Sequence, residues 1–395
     1  MSVAIIHNHP IHYKHLLFSE LTKMGLEFEV LFMASASSLR KERIPLNRDL
    51  YRYRIGYDGP YQKAPWMHTI KFIWKSLNDL DPSVVIISGW ADVAAWTAWV
   101  WALGHGRGRI LWAESNVFDH PRHWRKELVK RLFVKRCDCA HVYGASNREY
   151  LEKLGMPRER IYIKRAVADT DLFLKEPALP AEKPDRTILL YCGRFSREKN
   201  LAMLFRALAK AGQEAGRPQL SLKLVGYGPL EDSLRQLAVD LGIAGLVEFA
   251  GKACQAELPQ IFRRADVLIL PSTSEPWGLV VNEGMLSGMA VAVSDRCGCA
   301  ADLVTPETGW TFSPYDETAL TRLLVKIAET PRSELERMGS SARLLGSSYS
   351  PQNCAKIVME SVNQFLGESS FPETRLHRRP EIVNQEGEMK KEIRL

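Results

Sequence analysis

Cysteine is scarce in this chain: seven residues in 395, an odd number, which argues against a disulfide framework and for a reducing compartment, with the cytoplasm as the default. The two close pairs, Cys137-Asp138-Cys139 and Cys297-Gly298-Cys299, are too short and too isolated for a zinc site. No signal-peptide core opens the sequence, because only Val3 to Ile6 run apolar before His7, Asn8, His9 and Pro10, and they read as a first core strand. One stretch, Val84 to Leu103, approaches the length of a membrane span. Asp92 would then lie mid-bilayer at a cost of about 2.5–3.5 kcal/mol. A strand, a Gly89-Trp90 turn and a buried helix explain the same residues. Zinc-finger spacing, a helix-turn-helix signature and an aromatic RNP pattern are also missing, so no nucleic-acid partner is expected.

What is present fits an ordinary globular chain of two or three domains, with 46% apolar and 25% charged residues. Charge is uneven. Residues 1–180 carry 27 Lys and Arg against 19 Asp and Glu, net +8, while residues 181–395 carry 26 against 27, net −1. Seven of those basic residues and one acid fall in Pro121 to Arg136, where Trp124, Leu128, Leu132 and Phe133 recur at helical spacing. Two readings stay open for this basic amphipathic helix: the solvated outer face of a core helix, or a surface that adsorbs to anionic lipid headgroups.

Leu172 to Arg186 holds three prolines among charged residues and neither periodicity, so it reads as a linker. It separates a first domain, 1–171, from a second, 187–350. Before it, apolar runs at 2–6, 28–33, 84–87, 110–113 and 139–143 alternate with helical patterning at 14–24, 66–80 and 124–136. After it, strands at 187–192, 220–225, 246–249, 267–270 and 290–294 alternate with helices at 200–211, 230–241, 257–265 and 277–286. This alternation predicts an α/β chain of two Rossmann-like, doubly wound domains. Ligands then bind at the carboxyl ends of the strands. A last helix is expected at 352–366, followed by a polar tail, 367–395, with six basic and six acidic residues and the composition of disorder.

Three loops at predicted strand ends carry the chemistry. Arg194 and Lys199 follow the strand 187–192, and offer a planar fork and a mobile point charge for a diphosphate and for its stabilisation as a leaving group. Gly226 and Gly228 flank Tyr227 after the next strand and permit a tight turn with close ligand approach. In the third loop, Glu275 and Glu283 bracket an expected helix start at Pro276 and Trp277, where the N–H groups of Gly278, Leu279 and Val280 suit a phosphate. Glu275 is placed for a sugar hydroxyl and Glu283 for a ribose diol.

Gly193-Arg194 with Lys199, the Gly-Tyr-Gly-Pro turn at 226–229, the pair Glu275 and Glu283, and Asp295-Arg296-Cys297-Gly298 before Ala301-Asp302-Leu303-Val304 together resemble retaining glycosyltransferases of family 4, which have the GT-B fold with two domains facing a central cleft. The likeness is strong over about 185–330 and weak before it. It implies a nucleoside-diphosphate sugar as donor, with no cofactor and no metal. It also implies that Arg194 and Lys199 bind the donor diphosphate, Glu283 the ribose and Glu275 the sugar, that the backbone after Glu275 holds the distal phosphate, and that the helix at 352–366 crosses back onto the first domain.

The first domain departs from that family. Where relatives have a glycine-rich loop after strand one, His7, His9, His12 and His15 stand in a short run; its spacing matches no metal site, and acceptor binding is expected instead, with His12 the candidate. The strand 110–113 ends in Glu114, with Asp119 and His120 further on, which makes Glu114 and His120 acceptor-side candidates. Asp169-Thr170-Asp171 matches a metal motif of another glycosyltransferase fold but lies beside the linker and is set aside. The chain reads as a glycosyltransferase acting on a saccharide or lipid-linked acceptor in polysaccharide or glycolipid biosynthesis. A nucleotide-sugar 2-epimerase and a non-catalytic sugar-nucleotide-binding scaffold are the rival readings.

Overall fold

The structure, a computed structural model, describes residues 2–38, 46–119, 122–175, 186–214 and 220–366. The first half runs β1 (Val3–His7), α1 (His12–Lys23), β2 (Phe28–Ala36), β3 (Arg52–Pro60), α2 (Trp66–Leu80), β4 (Val84–Ser88), α3 (Val93–Gly104), β5 (Gly108–Ala113), α4 (Trp124–Lys135), β6 (Cys139–Val142), α5 (Ala145–Lys153), β7 (Ile161–Ile163) and α6 (Thr170–Leu174). The second runs β8 (Thr187–Cys192), α7 (Leu201–Glu214), β9 (Leu220–Val225), α8 (Glu231–Asp240), β10 (Val247–Gly251), α9 (Leu258–Arg263), β11 (Val267–Leu270), α10 (Leu279–Leu286), β12 (Ala290–Ser294), α11 (Ala300–Leu303), β13 (Gly309–Phe312), α12 (Glu317–Glu329), α13 (Arg332–Ser347) and α14 (Pro351–Leu366).

The strands form two parallel sheets, ordered β3-β2-β1-β4-β5-β6-β7 and β10-β9-β8-β11-β12-β13. Strand order reverses beside β1 and beside β8, which opens a crevice at the carboxyl end of each sheet. Central strands are apolar on both faces because helices cover both: every residue of β1, β11 and β12 is buried. Three of the four edges, β3, β7 and β13, do not appear among the apolar runs of the sequence. β3 is the clearest case, since most of Arg52–Pro60 is exposed or half-buried at the margin of the sheet, where apolar residues are not required.

Val84 to Leu103 folds as β4, a turn and α3, and the Asp92 side chain accepts from the Ala95 N–H (3.0 Å) to cap the helix. No helix among the described residues is long and apolar enough to cross a membrane. Leu172 and Phe173, which read as linker, belong to α6, where Phe173 packs edge-on against Phe262 of α9 (5.6 Å). Linker residues 176–185 and the tail 367–395 lie outside the described residues. α14 packs on the first domain: Cys354, Ala355, Val358 and Val362 share a core with Leu17, Phe18 and Leu21 of α1. The buried Ser361 hydroxyl is 2.6 Å from His141 Nε2 in β6.

Candidate active site

The carboxyl ends of the two sheets face one another, and the loops singled out in the second domain do converge there. Lys199 forms a direct ion pair with Glu275 across the β8 and β11 loops. Arg194, more exposed, lies 3.8 Å from Glu198. Phe195 N–H donates to the Tyr227 carbonyl (2.9 Å), which draws the loop after β8 onto the loop after β9. That contact changes the reading of the glycines. A Cβ at Gly226 would fall 1.9 Å from the Gly193 carbonyl oxygen, and one at Gly228 would fall 2.3 Å from that of Phe195. A neighbouring backbone, rather than a ligand, demands glycine at both positions.

The helix expected from Trp277 begins two residues later. Gly278 is its N-cap in the left-handed region (φ 98°), and α10 starts at Leu279, so Pro276 lies outside the first turn. Left-handed geometry suits a residue without Cβ. It turns the chain so that Trp277 is buried, with its indole N–H donating to Asn282 (2.8 Å). The N–H groups of Leu279 and Val280, at the start of α10, suit an anion, while the next, that of Val281, already donates to the Gly278 carbonyl (2.9 Å). Glu283 lies one turn further on. Burial pushes its carboxyl up to about 7, opposed by Gln255 and His12 and reinforced by Asp169.

His12 therefore belongs to the Glu283 neighbourhood, with Nε2 2.9 Å from Asp169 Oδ2. Asp169 also caps α6 by accepting from the Leu172 N–H (3.0 Å), a local role that accounts for the Asp-Thr-Asp run. The other histidines of the loop diverge. His7 donates to the His9 carbonyl, His9 stacks on Tyr61 and His15 meets the Tyr51 hydroxyl. Among the described residues no group of three or more His, Cys, Asp or Glu could hold a metal ion.

Glu114 stands at the end of β5 between three groups that the sequence did not single out. Lys14 Nζ is 3.0 Å from its Oε1, the Tyr143 hydroxyl donates to the same oxygen, and Asn147 donates to the Glu114 carbonyl (2.7 Å). Burial pushes the Glu114 carboxyl up, but Lys14, Tyr143 and Lys164 outweigh it and bring it down to about 2. The side chain is 39% exposed. It is thus an anion at neutral pH whose second oxygen is not taken by these contacts. His120 lies outside the described residues.

The domains are joined at the cleft by contacts that periodicity could not reveal. Asn116, fully buried in the loop after β5, donates from Nδ2 to the carbonyls of Glu275 (3.0 Å) and Pro276 (3.2 Å). Ser274 Oγ donates to the Asp119 carbonyl (3.0 Å), and Asp302 accepts from the Ala145 N–H at the start of α5 (2.9 Å). The only sequence signal was Asn116 three residues before Asp119, a turn-forming pair.

This is the architecture of a GT-B protein. It superposes on sucrose-phosphate synthase from Thermosynechococcus elongatus with a TM-score of 0.74 over 93% of this chain and 99% of that one, at 20% identity. It also superposes on Anabaena HepE in complex with UDP and glucose, with a TM-score of 0.71 over 92% of this chain and 100% of that one, at 17% identity. Residues 175–345, most of the second half of the chain, match the family model of glycosyl transferases group 1. Among curated relatives, a D-inositol 3-phosphate glycosyltransferase of Streptomyces avermitilis is 30% identical over 246 residues, 60% of this chain and 49% of the relative. The match spans about half the length of the first such relatives.

Proposed function

We propose that the protein is a retaining glycosyltransferase of the family 4 type, which moves a sugar from a nucleoside-diphosphate donor to an acceptor hydroxyl in polysaccharide or glycolipid biosynthesis, in the cytoplasm. The observation that carries this reading is the meeting of Lys199, Glu275 and the start of α10 in one crevice, opposite the ionised Glu114 of the other domain. A diphosphate entering the crevice competes with Glu275 for Lys199, and Arg194 adds a second cation. Glu275, released in part from Lys199, accepts from a donor-sugar hydroxyl. The N–H groups of Gly278, Leu279 and Val280 hold the distal phosphate, the backbone of Gly193, Gly226 and Gly228 walls the nucleotide, and Glu283 accepts from the ribose.

In the transfer step the bond from the anomeric carbon to the phosphate oxygen breaks. A new bond to the acceptor oxygen forms on the same face, and the acceptor proton passes to the departing phosphate. Arg194 and Lys199 stabilise the charge that develops there. Glu114 is too acidic to exchange a proton at neutral pH, so it orients an acceptor hydroxyl as a hydrogen-bond acceptor. His12 and His120 complete the acceptor-side candidates. The acceptor is a saccharide or lipid-linked saccharide, and the basic helix at 121–136 brings the protein to an anionic membrane surface.

A panel of nucleotide sugars, offered with and without membrane extract, tests the reading. Acceptor-dependent release of nucleoside diphosphate supports it. Isomerisation without acceptor points to an epimerase, and binding without turnover to a scaffold.

A further inference from the structure

The layer formed by α2, α3 and α4 presents apolar side chains to solvent to a degree unmatched elsewhere among the described residues. Fifteen large hydrophobic residues are exposed among the described residues, and nine of them lie on these three helices: three on α2, two on α3 and four on α4. Trp124 is 69% exposed, Trp66 64% and Leu128 62%. On α4, positions 124, 128 and 132 recur every four residues and so form one stripe. In a buried helix that stripe would face the core. Here Phe133 and Val134 do so, and the stripe faces outward. Contiguous exposed apolar surface of this kind marks a place of interaction.

The three helices make one surface. α3 lies between the others, with the Trp101 indole N–H donating to Asn78 of α2 (2.7 Å) and Trp99 stacked on Phe133 of α4 (5.3 Å). Cations border the apolar residues: Lys71 and Lys75 on α2, and Arg125, Lys126 and Lys135 on α4, all exposed and none in an ion pair among the described residues. The acids of α2 and α4 are already neutralised. Asp79 is held by Arg54 (3.2 Å) and Glu127 by Lys130 (2.8 Å).

We propose that α2, α3 and α4 together form a docking face for an anionic bilayer, which presents a membrane-borne acceptor to the cleft. This deepens the transferase reading and rests on it for the acceptor. Tryptophan beside lysine and arginine suits the headgroup boundary, where indole and aliphatic groups enter the acyl edge and cations meet lipid phosphates. A second copy fits this face poorly, because a two-fold pairing sets the same cations against each other. The face also adjoins the cleft. α4 begins just after the loop in which Arg122 donates to the Asn116 carbonyl, and Asn116 grips the Glu275 segment.

The test is cosedimentation of the full chain with vesicles of phosphatidylcholine alone, or of an equal mixture with phosphatidylglycerol. Binding to the mixture is expected to exceed binding to phosphatidylcholine by about tenfold or more and to weaken as salt rises. The pair Lys71→Glu with Lys75→Glu on α2, and the pair Arg125→Glu with Lys126→Glu on α4, should each lower binding by about tenfold. Brominated lipid should quench tryptophan fluorescence in the wild type and much less in Trp66→Ser with Trp124→Ser. All four charged positions and both tryptophans are exposed, and unchanged thermal unfolding of each variant confirms an intact fold. Failure to bind the mixture overturns the proposal. So does full binding after the α2 reversal, or a dimer that these substitutions dissociate. Vesicle binding needs no turnover, so a chain that transfers sugar yet ignores vesicles refutes the docking face and leaves the transferase reading standing.

Discussion

Asn116 of the first domain donates its side-chain amide to the backbone carbonyl of Glu275 in the second. One loop therefore carries both Glu114, proposed above to orient the acceptor, and the group that fixes the Glu275 segment. Asn116→Asp keeps the shape but sets a carboxylate against two carbonyl oxygens. Two hydrogen bonds worth about 1 kcal/mol each are lost, so transfer should slow by about tenfold or more. Nucleotide affinity should stay near wild type. A cleft loosened at this joint would admit water to the donor, so the ratio of donor hydrolysis to transfer should rise, and kinetics with acceptor present and absent measure both.

Lys199 and Arg194 are expected to act on turnover more than on binding. Removing a preorganised cation from a developing charge costs roughly 10²–10³ in rate, so Lys199→Ala should lower kcat on that scale, with Arg194→Ala the milder of the two because it is more exposed. Steady-state kinetics with the donor that the nucleotide-sugar panel identifies are the measurement. Unchanged turnover in both variants would remove these residues from the mechanism.

Nucleotide binding should depend on pH through Glu283. Its carboxyl, raised to about 7 by burial, must be ionised to accept two hydrogen bonds from a diol. Affinity for the nucleoside diphosphate should then be full above pH 8 and fall about tenfold by pH 6, with proton release on binding near neutrality. Stability moves the other way. A raised carboxyl favours the fold while protonated, so its contribution is lost as pH climbs from the ordinary carboxylate range toward 7. Glu283→Gln should flatten both dependences, as calorimetric titration and unfolding across pH would record.

Gly298→Ala should disturb the same cleft edge from the other side. A Cβ there would fall 2.0 Å from the Pro276 carbonyl oxygen and 3.1 Å from Asn116 Nδ2. The segment must shift, at a cost of about 1–3 kcal/mol. A lower thermal midpoint together with reduced transfer is expected. Wild-type values for both would show that the segment yields freely.

The second domain was readable because its elements announce themselves locally. Apolar runs mark β8, β9, β11 and β12, since central parallel strands are buried on both faces, and turn residues mark the loops that follow. Three of the four edge strands, β3, β7 and β13, escaped because one flank meets solvent and no apolar run is needed, while the fourth, β10, was read from Leu246 to Phe249. Glu114 was visible as a strand-end carboxylate, but Lys14, Tyr143 and Lys164, which fix its charge, come from three other elements. The stripe on α4 left two readings open, a core-facing side with a solvated outer face or a lipid-adsorbing surface, because helical spacing is the same in both. Only the neighbouring helices show which side is covered.

α14 makes the first domain discontinuous in the chain. The second domain is an insertion between the bulk of the first and its last structural piece, so two covalent crossings, not one, connect the halves. Two tethers restrict relative motion to a swing about the line between them and suppress free tumbling. They also mean that a fragment ending near residue 171 is missing part of its own interior: Cys354, Ala355, Val358 and Val362 would be absent beside Leu17 and Phe18. Such a fragment should be insoluble or molten, and adding 351–366 as a separate peptide should rescue it.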